Sequence, residues 1–156
     1  MLTMPALTSR HTTFRVSTGH PTEFIDITER LEALVAAAGL RVGILSVQTL
    51  HTTTAVIVNE HEPLLFRDFA EMLDAAARRT AAYHHDDPAR RTVNVTADER
   101  VNGHAHCQAL LLGSSVALTV VEGRLRLGRW QRVFLVELDG PRERELSVVA
   151  LGEGAR

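Results

Sequence analysis

The stretch Asn102–Gly113, NGHAHCQALLLG, decides how this chain is put together. His104 and His106 stand two residues apart and run into the apolar tract Ala109–Leu112. If the stretch is extended, side chains alternate between faces, so His104 and His106 share one face and Ala105 and Cys107 the other. If it is helical, residues two apart diverge and only one histidine can enter a site. The sequence leaves both conformations open. On a strand Cys107 and His106 point to opposite faces, which argues against a Cys–His nucleophile and makes Cys107 a small core residue.

Downstream the pattern turns strongly β. From Ser115 come VALTVV, a turn at Glu122-Gly123, RLRL, a break at Gly128, WQRVFLVEL, the turn DGPR, and ELSVVAL. Four short strands with turns between them predict an antiparallel sandwich or barrel. Upstream lies the irregular, polar run Ala81–Gly103, which carries YHHDDPARRTVNVTADERVNG; a segment of that length is functional or disordered. Before it, a helix is expected from Pro63 to about Arg78–Thr80, with Leu65, Phe69, Met72, Leu73 and Ala76 as its buried stripe.

Nearer the N-terminus, Thr12–Ser17 and Glu23–Ile27 read as short strands around Gly19-His20-Pro21. Asp26 is expected to cap a helix with Glu29 at its third position. Ile27, Leu31, Leu34, Val35 and Ala38 form the helix's apolar face and Gly39 its stop. Arg41–Thr49 and Thr53–Asn59 read as two further strands, each too apolar to lie on the surface. Residues 1–10 look like a loose lead-in. The expectation is one α+β domain over residues 1–156, an antiparallel β-sandwich with two main helices packed on it.

Bulk properties narrow the function. The 156-residue chain is long enough for a real core and carries a net charge of −2, so no basic field invites nucleic acid or anionic membrane. All 17 basic residues are arginine, which removes lysine-nucleophile and Schiff-base chemistry. The single cysteine, the lack of a signal peptide and the lack of a membrane-length apolar run predict a soluble, cytoplasmic protein.

The 8 histidines are the chemical signal. His51 opens HTTT between two strands, His84 and His85 precede Asp86 and Asp87, and His104 and His106 sit in NGHAH; His11, His20 and His61 read as structural. Imidazoles with carboxylate neighbours suit zinc or a similar divalent metal better than magnesium, which prefers oxygen. No HExxH, CxxC or finger spacing is present, so a metal site has to be assembled from separate segments. Asp86 either orients His85 or belongs to a solvated turn. Glu60 lines a site mouth or caps the next helix with Asn59, and Asp68 lies on a polar helix face. Arg124, Arg126 and Arg129 either present a fork to phosphate or decorate an edge hairpin. No GxSxG elbow and no glycine-rich phosphate loop occurs.

Taken together, HTTTAVIVNE, YHHDD, ERVNGHAHCQALLLG and EGRLRLGRWQRVFLVELDGPRERE resemble the YjbQ-like family, also labelled secondary thiamine-phosphate synthase enzymes. The resemblance runs from about Thr12 to Gly152. It implies a jelly-roll-like β-sandwich with helices on it, assembled as a homotrimer, with a histidine-containing site near the subunit interface. Carried over by position, it implies His51, His85 and His106 around a divalent metal, with His51, Glu60 and Asp68 as catalytic residues and Glu60 as general base. It implies Asn59, Asp86, Arg124 and Gln131 as substrate-binding residues. Within that pattern His106, not His104, is the site residue of NGHAH.

The implied activity is thiamine phosphate formation, joining a pyrimidine pyrophosphate to a thiazole phosphate, and it is nominal or a side reaction. Such a transfer needs a divalent cation or arginines against the leaving pyrophosphate. The alternatives are a metal-dependent hydrolase of a small phosphorylated or heterocyclic metabolite, or a non-catalytic metabolite- or metal-binding trimer.

Overall fold

The computed structural model describes residues 7–98 and 100–154. Among these residues eight strands are present: β1 (Leu7–Ser17), β2 (Glu23–Asp26), β3 (Leu40–Thr49), β4 (Thr54–Glu60), β5 (Ser115–Val121), β6 (Arg124–Leu125), β7 (Gln131–Glu137) and β8 (Glu143–Gly154). Three α-helices join them: α1 (Thr28–Ala38), α2 (Pro63–Ala76) and α3 (Gly103–Leu112). A 3-10 turn spans His84–Asp86. The strands form two antiparallel sheets, one in the order β1-β8-β3-β5-β6 and one in the order β2-β7-β4. The expected α+β sandwich is present, with a third helix added.

The smaller sheet is the middle layer, and that explains the apolar run of β7. Val56, Val133 and Leu135 face the larger sheet, packing with Leu45, Val47, Leu118, Leu146, Val148 and the α1 residues Leu31 and Val35. The alternate residues Ala55, Phe134 and Val136 face the other way, against Leu73 of α2 and Ala105 of α3. A strand buried on both faces has no reason to alternate. β3 is different: one of its faces is open, leaving Ile44 half exposed, so the expectation that both strands are too apolar to lie on the surface fails for β3, whereas β4 is buried from Thr54 to Val56 and exposed only at Asn59 and Glu60.

Several local expectations need correcting. Residues 7–10 are not loose, because β1 runs from Leu7 and pairs with β8 along its whole length; residues 1–6 lie outside the described residues. Asp26 does not cap α1. It ends β2 opposite Phe134, and strand pairing holds it one residue too early, so Ile27 occupies the cap position without a side-chain bond. Asp26 Oδ1 still accepts the Thr28 amide at 2.9 Å. Gly39 ends α1 in the left-handed conformation (φ 62°), as its position suggested.

In α2 the expected stripe is rotated. Leu73 is buried and Leu65 and Phe69 are half-buried, with Phe69 against Phe24 at 5.8 Å, but Ala76 is exposed and Met72 is 56 % exposed. Phe66 takes the inner face instead, stacked on Phe24 at 5.3 Å and edge-on to Phe134 at 5.3 Å. The aromatic cluster fixes the helix rotation more strongly than the aliphatic periodicity does. α2 stops at Ala76, short of Arg78–Thr80. No helix among the described residues is long and apolar enough to cross a membrane.

Candidate functional site

Asn102–Gly113 is helical over Gly103–Leu112, so its two histidines part company. His104 turns into the protein and is 1 % exposed, with neither ring nitrogen hydrogen-bonded. His106 lies on the other side of the Ala105/Ala109 stripe and lines a pocket. Cys107 is exposed on the helix surface, not buried; the extended geometry behind that expectation does not apply.

The start of α3 is fixed by the loop that precedes it. Asp86 Oδ1 accepts the backbone amides of Asn102 at 3.0 Å and Gly103 at 2.9 Å, meeting two of the donors that a helix N-terminus leaves unpaired. Gly103 permits this contact, since a Cβ there would stand 2.5 Å from Tyr83 Cβ and 3.0 Å from Asp86 Oδ2. The docking sets the 3-10 turn against α3 and brings the His85 and His106 rings to a centroid separation of 4.5 Å. His85 Nε2 is buried without a protein partner.

The pocket has a volume of about 460 Å³. His51, His85 and His106 line it together with Arg91, Arg142 and Arg144, and Thr53, Asn94 and Asn102 add neutral polar groups. Among the described residues no carboxylate lines it. Two carboxylates, Glu137 and Asp139, stand behind the arginines. Glu137 takes Arg144 Nε at 2.6 Å and Arg144 Nη2, and Asp139 Oδ2 accepts Arg142 Nη2 and Asn102 Nδ2, each at 2.9 Å. Burial alone would raise the Glu137 carboxyl, but the Arg144 bonds and the Asp139 amide hold it below the usual carboxylate range.

His51 stands in the β3–β4 turn. Its Nε2 accepts the Glu145 amide at 2.8 Å. Burial, and then the Arg144 charge, push its pKa down. Burial, and then His85, do the same for His106. Both rings are therefore neutral near pH 7, and the fixed positive charge at the pocket belongs to the arginines.

The residues expected at the site separate into two groups. His51, His85 and His106 come together in the pocket, and Asp86 stands behind His85 as the α3 anchor. The rest do not join them. Asn59 and Glu60 end β4, opposite Arg132 and Gln131, and six residues of strand at about 3.3 Å each place them roughly 20 Å from its His51 end. Gln131 Oε1 accepts the Gly128 amide. Asp68 is exposed on α2. Arg124 is exposed on β6, in a separate surface hollow with Arg126.

Arg142 and Arg144 were not foreseen, because DGPRERE reads as a turn. A signal was present for Arg144: it shares strand parity with Leu146, Val148 and Ala150, all buried. Among the described residues no three His, Cys, Asp or Glu side chains converge closely enough to hold a metal ion. The His51, His85 and His106 set thus does not fit a three-ligand metal site in this arrangement.

The family model for the UPF0047, YjbQ-like proteins matches residues 12–153. The chain belongs to this family. It is similar to a UPF0047 protein of Archaeoglobus fulgidus, 39 % identical over 136 residues, covering 87 % of this chain and 97 % of the relative. A UPF0047 protein of Methanothermobacter thermautotrophicus is 36 % identical over 136 residues, 87 % of either chain. A YjbQ-like protein of unknown function from Sulfolobus solfataricus superimposes with a TM-score of 0.84 at 34 % identity, covering 95 % of this chain and all (100 %) of that one. A hypothetical protein of Aeropyrum pernix superimposes at 0.79 and 35 % identity, over 92 % of this chain and 98 % of that one. The family is thus established together with the fold of this YjbQ-like chain.

Proposed function

We propose that this YjbQ-like protein is an enzyme acting on a small phosphorylated metabolite bound in the His51–His85–His106 pocket. The observation that carries the reading is the lining of that pocket by three arginines and three histidines, with no carboxylate among the described residues. Such a wall attracts an oxyanion, and it rejects an ammonium or guanidinium group. A pocket of about 460 Å³ suits one metabolite of moderate size.

Within that class we propose, as the nominal reaction, a thiamine-phosphate-synthase-like transfer. A ring nitrogen of the thiazole phosphate forms a bond to the methylene carbon of the pyrimidine pyrophosphate. The C–O bond to pyrophosphate breaks, and the leaving group keeps its electron pair. Arg91 and Arg142 stand where that charge can be met. Glu60, proposed from family position as general base, reaches this pocket only from another copy of the chain. That is consistent with the proposed homotrimer.

A divalent metal also belongs to the proposal. His85 and His106 are the two adjacent donors, and substrate phosphate oxygens would supply the remainder of its shell. Its contribution would be neutralisation of phosphate charge; no step above is routed through it.

One observation favours a second reading, a non-catalytic binder: the carboxylates of Glu137 and Asp139 are tied up behind arginines. Incubation with the pyrimidine pyrophosphate and the thiazole phosphate, followed by ³¹P NMR, separates the two. Release of pyrophosphate that is lost in His106→Ala supports the enzyme. Substrate binding without release supports the binder.

A further inference from the structure

His51 closes a gap in the sheet. The β3–β8 ladder ends at the Thr49–Leu146 pair. Just beyond it the Leu50 amide donates to Glu145 O at 3.1 Å. The amide of the same residue, Glu145, would face no backbone carbonyl, and it donates to His51 Nε2 at 2.8 Å. The imidazole thus stands in for a backbone acceptor at the strand end.

This contact fixes the tautomer. An N–H cannot donate to another N–H, so Nε2 carries its lone pair towards Glu145, and a neutral ring must carry its proton on Nδ1. We infer that His51 serves the pocket as a fixed Nδ1–H donor to a phosphate-type oxyanion, and neither as a metal ligand nor as a general base. The oxyanion part of this inference rests on the reading of the pocket given above.

Each alternative role conflicts with the geometry. A metal at Nε2 would take the lone pair that the Glu145 amide uses and leave that amide unpaired. A metal at Nδ1 would require the ring to lose its only proton. A general base needs a free lone pair, and Nδ1 has none. What remains is donation, and it suits an acceptor-only group: a phosphate oxygen, flanked by the Arg142 and Arg144 side chains of the same pocket. His51 therefore adds specificity without adding charge.

The test is ¹⁵N NMR of the histidine ring nitrogens in the full-length protein at pH 7.5, with zinc ions and inorganic pyrophosphate added separately. The expected His51 spectrum is a protonated Nδ1 and an unprotonated Nε2, unmoved by zinc, with the Nδ1–H signal shifted by pyrophosphate. An Nε2–H tautomer, or loss of the ring proton on adding zinc, overturns the inference.

Two variants add an independent readout. Asn places an amide N–H near the position of the histidine Nδ1–H, so His51→Asn should keep pyrophosphate affinity within a few-fold. His51→Ala should weaken it roughly tenfold or more, the scale of a hydrogen bond to a charged acceptor. Equal loss in both variants contradicts a donor role. A wild-type chain with the Nδ1–H tautomer that binds no pyrophosphate overturns the anion reading of the pocket; the metal-ligand and base roles of His51 are then still refuted by the tautomer.

Discussion

The carboxylate of Asp86 holds the first turn of α3, with one oxygen accepting the amides of Asn102 at 3.0 Å and Gly103 at 2.9 Å. Family position suggested a substrate contact for Asp86, and its geometry makes it the anchor that seats His85 against His106. Asp86→Ala is expected to cost about 1–2 kcal/mol, the scale of a lost helix cap. Chemical denaturation measures this, and an unchanged unfolding midpoint would show that the anchor is dispensable.

Gly103 faces the Tyr83 ring with no room for a side chain, since a Cβ would lie 2.6 Å from Tyr83 Cγ. Gly103→Ala therefore has to push the loop off α3. The expected result is a loss of about 1–3 kcal/mol, as for other overpacked contacts, and a weakened His85–His106 contact visible as ring chemical-shift changes.

Arg144 is 1 % exposed and Glu137 0 %, and they pair through two hydrogen bonds. Removing one partner leaves a buried charge. Arg144→Met should cost about 3–5 kcal/mol, and the double change with Glu137→Leu should recover much of it. A double variant no more stable than the single one would contradict this view of the pair.

How much of this was open to a reader of the sequence depended on periodicity. β5, β7 and β8 could be placed because β-branched residues and turn signals mark their length and ends. α3 could not be assigned, because Leu110 and Leu111 of its apolar tract are 84 % and 63 % exposed, so neither a helical nor a strand period fits the buried pattern. The rotation of α2 was hidden for a related reason: Phe66 is chosen by Phe24 and Phe134, which are distant in sequence. Of the pocket, the histidines stood out by residue type alone. Arg142 was hidden, because only folding carries the β7–β8 turn to His51 and His106.

Stability should fall as the solution is acidified. His51, His104 and His106 are all held neutral, principally by burial, so their folded pKa values lie below the unfolded value of about 6.5. Below that pH the unfolded chain binds more protons than the folded one, and stability drops as pH falls towards the folded values. Thermal unfolding between pH 7.5 and 5 measures the slope. His104→Phe should flatten it, since His104 is buried with neither ring nitrogen bonded to protein; an unchanged slope would show that His104 contributes nothing.

Cys107 lies on the open side of α3. A thiol reagent should modify it in the native protein at close to one equivalent without lowering the unfolding temperature. Modification only in denaturant would place it back in the core.

The central claim is that the pocket of His51, His106 and Arg142 receives a phosphate-type anion, and calorimetric titration with inorganic pyrophosphate addresses it directly. One site per chain is expected, weakened at least tenfold by Arg142→Ala and unaffected by Arg124→Ala on the separate β6 surface. Loss of binding in Arg124→Ala with none in Arg142→Ala, or no binding by the wild-type chain, would contradict it.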